Sequence, residues 1–270
     1  YKTIDSSEPN DGSYPWSIPT SYDASSYYKV RIIDTNNSST WDDSNNNFTF
    51  SVQPVINPGT VIDIDGNVYQ TVQIGNQVWM AENLKVTKYR DGEAIHNETD
   101  NAIWTGLTVG AFCSWENNDN NISTYGLLYN WHAVNDSRGL APAGWHVPSD
   151  DEWKQLEMYL GMSQSDADDT GDRGTDEGIK LKEAGTAHWI SSPEGCVNAE
   201  GTNSSGFTAL PGGARLSGDF LGIGISGIFW TSTEYLSAYP WYRELFYNTK
   251  DINRNYNIRQ SGFSVRCIKN

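Results

Sequence analysis

The densest run of oxygen ligands in the chain is Asp166-Ala167-Asp168-Asp169-Thr170-Gly171-Asp172-Arg173-Gly174-Thr175-Asp176-Glu177. Read as a calcium loop of the helix-loop-helix kind, it places oxygens at the first, third and fifth positions, glycine at the sixth and glutamate at the last. The ligand set would be Asp166, Asp168, Thr170, Asp172 and Glu177, with Ca²⁺ as the implied ion. Thr170 is a neutral ligand, and Arg173 stands where an apolar residue is usual. A solvated acidic connection is the competing reading of the same residues.

A second concentration of chemistry lies between residues 234 and 259. It holds Tyr235, Tyr239, Trp241, Tyr242, Tyr247, Asn253, Asn255 and Tyr256. Tyrosine gives contact area at low entropic cost, and asparagine gives adaptable hydrogen bonds. The segment is therefore the candidate recognition face, unless alternate aromatics turn inward as core. Three cysteines, Cys113, Cys196 and Cys267, cannot all pair within one chain. One disulfide and one free thiol is the simplest count, and the pairing read here is Cys196–Cys267 with Cys113 free. The four histidines, at 96, 132, 146 and 188, lack metal-ligand spacing. No nucleophile elbow, zinc-protease helix or phosphate loop is present. Adjacent carboxylates such as Asp150-Asp151 read as solvated surface, so no catalytic residue is assigned and no cofactor is required.

The elements that position these residues are legible in part. Ser149 caps a helix over 149–160, Glu152 completes a capping box, and Trp153, Leu156 and Leu160 form its apolar stripe before Gly161. A second helix is expected near 175–184, ending at Gly185. Asp65-Gly66 and Gly75-Asn76 each mark a hairpin. Further upstream, 27–33 and 48–52 alternate as strands, with 34–47 as a long polar loop between them. Pro54 to Gly59 reads as a linker. The chain thus divides into 1–53, a linker at 54–59, and a larger domain at 60–270.

Composition bounds the partners. The net charge is −16, which repels phosphate backbones and anionic lipid, so nucleic acid is excluded. No apolar run is long enough to span a membrane. Aromatic residues make up 13% of the 270 residues, enough to build a core where regular elements are few. Trp79, Trp131, Trp145, Trp153 and Trp230 are assigned to that core.

Six motifs follow one another in the larger domain. They are Trp79-Met80-Ala81-Glu82-Asn83-Leu84, Tyr125-Gly126-Leu127-Leu128-Tyr129-Asn130-Trp131, and a run from Gly144-Trp145-His146-Val147-Pro148 to Trp153. Gly206-Phe207-Thr208-Ala209-Leu210-Pro211-Gly212-Gly213, Phe229-Trp230-Thr231-Ser232-Thr233-Glu234 and Gly262-Phe263-Ser264-Val265-Arg266-Cys267 complete the set. Together they resemble the Fibrobacter succinogenes major paralogous domain. That resemblance implies bacterial surface proteins and lipoproteins, and a C-type-lectin-like fold related to formylglycine-generating enzymes. The implied fold class is α+β, with two helices, short antiparallel strands and much irregular chain. The enzymes of that fold use two cysteines near the C-terminal end to hold copper, and here only Cys267 lies in that region. The sugar-binding calcium site of true lectins needs a Glu-Pro-Asn or Gln-Pro-Asp tripeptide in the lectin domain. The one such tripeptide, Glu8-Pro9-Asn10, lies in the other domain.

Upstream, Trp16-Ser17-Ile18-Pro19, Tyr28-Lys29-Val30-Arg31-Ile32 and Asp43-Ser44 leading to Phe48-Thr49-Phe50 resemble the second half of an Ig-like domain. It is the type found in Ser/Thr-rich membrane-anchored, yeast cell-wall-synthesis-like surface proteins. It implies a partial β-sandwich. The expected function is a non-catalytic, extracellular or outer-surface binding and adhesion module for glycan or protein. The alternative is a structural subunit assembling with copies of itself in a surface layer or filament, with a copper oxidase far behind.

Overall fold

The computed structural model describes residues 25–29, 31–34, 37–43, 48–50, 56–191 and 199–270. The chain divides into two compact units, Tyr1–Pro54 and Val55–Asn270. In the first, strand β1 (Ser25–Tyr28) pairs antiparallel with β4 (Phe48–Phe50), and β2 (Arg31–Asp34) with β3 (Asn37–Asp43). The expected strand at 27–33 is thus two strands, and the expected polar loop contains a third. Arg31 explains part of this: its Nε and Nη2 donate to the Asp43 carboxylate at 2.6 and 2.8 Å, across the β2–β3 pair. The Trp16–Pro19 motif lies outside the described residues.

The second unit is a mixed α+β structure. Its strands are β5 (Ile56–Ile62), β6 (Val68–Ile74), β7 (Gln77–Met80), β8 (His96–Asn97), β9 (Ala111–Cys113), β10 (Leu128–Tyr129) and β11 (Trp145–His146). They continue with β12 (Gly171–Arg173), β13 (Gly212–Leu216), β14 (Asp219–Ile223), β15 (Ser226–Leu236), β16 (Tyr239–Phe246), β17 (Ile252–Tyr256) and β18 (Ile268–Lys269). One sheet runs β11-β18-β7-β6-β5, a larger one β12-β17-β16-β15-β13-β14, and a small one β10-β9-β8. Neighbours pair antiparallel except β8–β9 and the single β13–β15 bridge.

Both hairpins read from the sequence form, with different turns. Gly75-Asn76 is a two-residue connection with Gly75 at φ +60. Asp65-Gly66 instead sits in a five-residue turn from Asp63 to Asn67, organised by the Asp63 carboxylate. Asp63 accepts the backbone N–H of Asp65 and of Asn67, both at 2.9 Å. The linker ends sooner than expected, because β5 begins at Ile56 and pairs with β6 across a register shift between Ile56 and Gly59. Pro58 is tolerated there because β5 is the edge strand, where a missing N–H breaks no ladder bond.

Six α-helical segments occur among the described residues: α1 (Asn101–Thr105), α2 (Ile122–Tyr125), α3 (Trp131–Val134), α4 (Asp150–Tyr159), α5 (Gln164–Asp168) and α6 (Glu177–Leu181). Two were expected. Four of the six are single turns outside the expected spans, too short to show a 3.6-residue period. The α4 helix has the expected cap. Ser149 Oγ accepts the Glu152 N–H, and Glu152 Oε2 accepts the Ser149 N–H at 2.7 Å. Ser149→Ala should cost about 1 kcal/mol in urea unfolding. A loss below a few tenths would mean that packing of Trp153 and Leu156 alone sets the helix start.

All five tryptophans assigned to the core are buried. Trp79 and Trp153 lie 5.0 Å apart and share Phe207 at 5.7 and 5.6 Å. Several indoles also fasten irregular backbone: Trp131 Nε1 donates to Thr231 O, Trp230 Nε1 to Tyr129 O, and Trp189 Nε1 to Ala209 O.

Buried cations do the same work. Arg266 is fully buried and donates to Asn83 Oδ1 (2.7 Å), Met80 O (3.0 Å), Phe207 O (2.6 Å) and Thr208 O (2.8 Å). Asn83 Nδ2 reaches on to Tyr125 O and Ser264 Oγ. Arg215 donates to the carbonyls of Gly218, Glu98 and Thr99 and to Asn101 Oδ1. Lys182 Nζ donates to the carbonyls of Ala199, Phe246 and Thr249, and burial pulls its pKa down to about 8. A buried carbonyl left without a donor is costly, so each cation satisfies carbonyls in loops and at strand ends.

Candidate recognition face

Strand alternation sorts the aromatic segment. Trp241 faces Tyr256 directly across β16 and β17, so both rings lie on one side of the sheet. Tyr235 and Tyr239, at the β15–β16 turn, join them. Tyr235 stacks on Tyr256 at 4.7 Å and 18°, and lies 4.6 Å from Trp241. Tyr239 meets Tyr256 edge-on at 5.9 Å. Tyr235, Tyr239 and Tyr256 remain 45%, 43% and 42% exposed, whereas Trp241 is buried beneath them. Leu236 and Ile258, close in the chain to Tyr235 and Tyr256, are exposed as well.

The other four expected residues are elsewhere. Tyr242 points to the opposite side and packs on Phe263 at 5.1 Å and Trp230 at 6.4 Å. Tyr247 packs on Phe246 and against the Trp79–Trp153 cluster. Asn253 Nδ2 donates to Asp172 Oδ1 at 2.6 Å, and Asn255 Oδ1 accepts the backbone N–H of Tyr256. These asparagines support backbone and loop rather than the ring cluster.

Beneath the rings lies a buried ionic network that sequence reading missed. The Arg254 guanidinium sits 3.8 Å from the Trp241 ring centroid. Its Nε and Nη2 donate to the Asp150 carboxylate at 2.9 and 2.7 Å, and Arg243 Nη1 donates to Asp150 Oδ1 at 2.8 Å. Arg243 Nε also donates to Glu157 Oε1 at 2.6 Å, and Arg173 Nη1 pairs with Glu157 Oε2 at 2.9 Å. Burial pushes the Asp150 carboxyl up, but the bonds and charges of Arg254 and Arg243 overcome this and hold it down at about 2. The network fastens α4 to β16 and β17 and so fixes the plane on which the rings lie.

The calcium loop is not assembled as expected. Its residues fold as α5, β12 and α6, and the carboxylates of Asp168, Asp172 and Glu177 have other partners. Asp168 accepts from Lys154 Nζ and Gln164 Nε2, both at 2.9 Å. Asp172 is held by Asn253, and the buried Glu177 accepts the N–H groups of Thr175 and Asp176. Asp166 lies in the first turn of α5 and Thr170 at the entry to β12. Among the described residues no cluster of three or more His, Cys, Asp or Glu is placed to hold an ion.

Nor does Cys267 form the expected disulfide: it is a free, buried thiol. Its side chain belongs to the core cluster around Tyr69 and Tyr129, whereas Cys113 lies in a separate cluster with Trp104. Burial pushes the Cys113 thiol up to about 11. Cys196 lies outside the described residues.

The model of the family described as the Fibrobacter succinogenes major domain matches residues 72–269. The chain belongs to this family. No curated protein and no solved structure matches it. In this Fibrobacter succinogenes major domain, six motif residues are buried in the core: Asn83, Trp131, Trp153, Phe207, Trp230 and Arg266. The exposed rings stand between the fifth motif, which ends at Glu234, and the sixth, which starts at Gly262. Among the described residues no helix is long and apolar enough to cross a membrane.

Proposed function

We propose that this chain is a non-catalytic recognition module of a bacterial surface protein, displayed at the outer cell surface. Its second unit is read as a C-type-lectin-like scaffold, and its first as part of an Ig-like β-domain. No cofactor is assigned to it. The observation that carries the reading is the cluster of Tyr235, Tyr239 and Tyr256, half-exposed over the buried Trp241 on a three-strand platform. Exposed apolar patches with polar rims mark interaction sites, and rigid rings lose little entropy on binding. The Tyr235, Tyr239 and Tyr256 hydroxyls make no hydrogen bond among the described residues, so their polar tips are free for a partner.

The test is a comparison of the wild type with Tyr235→Ser/Tyr256→Ser on a glycan array and on an array of immobilised peptides. The double variant should lose tenfold or more in affinity for whatever the wild type binds, with an unchanged far-UV spectrum. Equal binding by both proteins would remove the face from the function. If the wild type instead forms an oligomer that the double variant does not, the self-assembling subunit becomes the better account.

A further inference from the structure

Resting on that recognition face, we infer that its partner is a basic polypeptide segment, one presenting arginine or lysine side chains to the rings. The argument begins with what surrounds the rings. Arg254 Nη1 donates to the carbonyls of Asp168 and Asp169, both at 3.0 Å, while its guanidinium covers Trp241. One buried side chain therefore joins the aromatic cluster to the C-terminal end of α5. The same guanidinium binds Asp150, whose neighbour Asp151 is exposed. Asp166, Asp168 and Asp169 are exposed as well, whereas Asp172 pairs with Asn253 on the opposite face of the sheet. Against these four carboxylates stands Lys154, which contacts Asp168 at 2.9 Å and Asp151 at 3.6 Å. The rim beside the rings is thus acidic on balance, within a chain of net charge −16.

The polar groups that would orient sugar hydroxyls are partly engaged. Asn253 Nδ2 is held by Asp172, Asn255 Oδ1 by the Tyr256 N–H, and Asn257 Oδ1 by the Ile258 N–H. Glu234 is paired with Arg259 and accepts the Ala238 N–H at 3.1 Å. What remains on offer is ring surface, tyrosine hydroxyls, the Asn255 and Asn257 amide N–H groups, the apolar side chains of Leu236 and Ile258, and carboxylate, of which the carboxylate alone favours a cation over a sugar. Rings attract a cation over their faces, and a carboxylate rim raises the local concentration of a cationic partner. The fold already shows the contact in its own interior, where Arg254 lies on Trp241 and Arg215 on Trp104 at 4.4 Å.

The experiment is fluorescence anisotropy with two labelled twelve-residue peptides, one of alternating Arg and Gly, the other of alternating Glu and Gly, with a glycan array in parallel. The basic peptide should bind at least tenfold more tightly than the acidic one, and its affinity should fall as salt rises. Tyr235→Ser/Tyr256→Ser should weaken it about tenfold. Asp151→Asn/Asp169→Asn, at two exposed positions where folding is not at stake, should weaken it severalfold and flatten the salt dependence. Equal affinity for the two peptides overturns the inference, as does basic-peptide binding indifferent to both double variants. Glycan binding that the tyrosine variant abolishes, without basic-peptide binding, also overturns it while leaving the recognition face standing. If neither ligand class distinguishes wild type from the tyrosine variant, the face itself fails.

Discussion

Arg266→Met should lower the stability of the second unit by about 3–5 kcal/mol, the cost of stranding the buried neutral acceptors that its guanidinium satisfies. The substituted side chain fills much of the same volume but donates nothing. Asn83 Oδ1 and the carbonyls of Met80, Phe207 and Thr208 would then lie buried without donors. At about 1 kcal/mol or more for each stranded acceptor, the sum reaches the same range. Urea unfolding followed by tryptophan fluorescence reads the change directly, because Trp79 and Trp153 lie against Phe207. Arg266→Lys keeps the charge but not the fork and should recover part of the loss. A drop below about 1 kcal/mol in the methionine variant would show that water enters and satisfies these groups.

Asp150→Asn is expected to be nearly as damaging, and to change the acid limb of the stability curve. Arg243 and Arg254 lose the anion that accepts three of their N–H groups, which for a buried pair costs about 3–5 kcal/mol. The pH dependence has a definite sign. The folded pKa of Asp150 is about 2, below its ordinary value of 3.8, so ionised Asp150 favours the folded state. That contribution, about 2 kcal/mol, is complete above pH 4 and disappears as pH falls towards 2. The wild type should therefore lose stability across this window more steeply than the variant. Parallel acid-unfolding curves would rule out the network as the source. Because Arg254 supports Trp241, the variant should also alter the near-ultraviolet spectrum of the ring cluster.

The scaffold was more legible in the sequence than the face. The cap at Ser149, the strand pairs around Gly66 and Gly75, and the burial of the five motif tryptophans follow from local pattern and size. Most of the failures have one physical origin, which is that the deciding partner is distant in the chain. Asp168 and Asp172 have the types and spacing of metal ligands, yet Lys154 and Asn253 claim them first. Trp241 and Tyr242 are neighbours with similar side chains, and only the register with Tyr256 tells which one joins the exposed rings. Arg266 sits between Val265 and Cys267, where alternation would turn it to water. All three are buried, because the segment is packed on both sides. Four-residue helices such as α2 and α3 leave no periodic trace at all.

The internal clamps have an effect on what the surface can become. Arg215, Arg266 and Lys182 grip mostly main-chain oxygen, an atom that every amino acid supplies. The loops they hold keep their course without depending on their own side chains. Outward positions on such loops can be exchanged at little thermodynamic penalty, so a library randomised there should return mostly folded members.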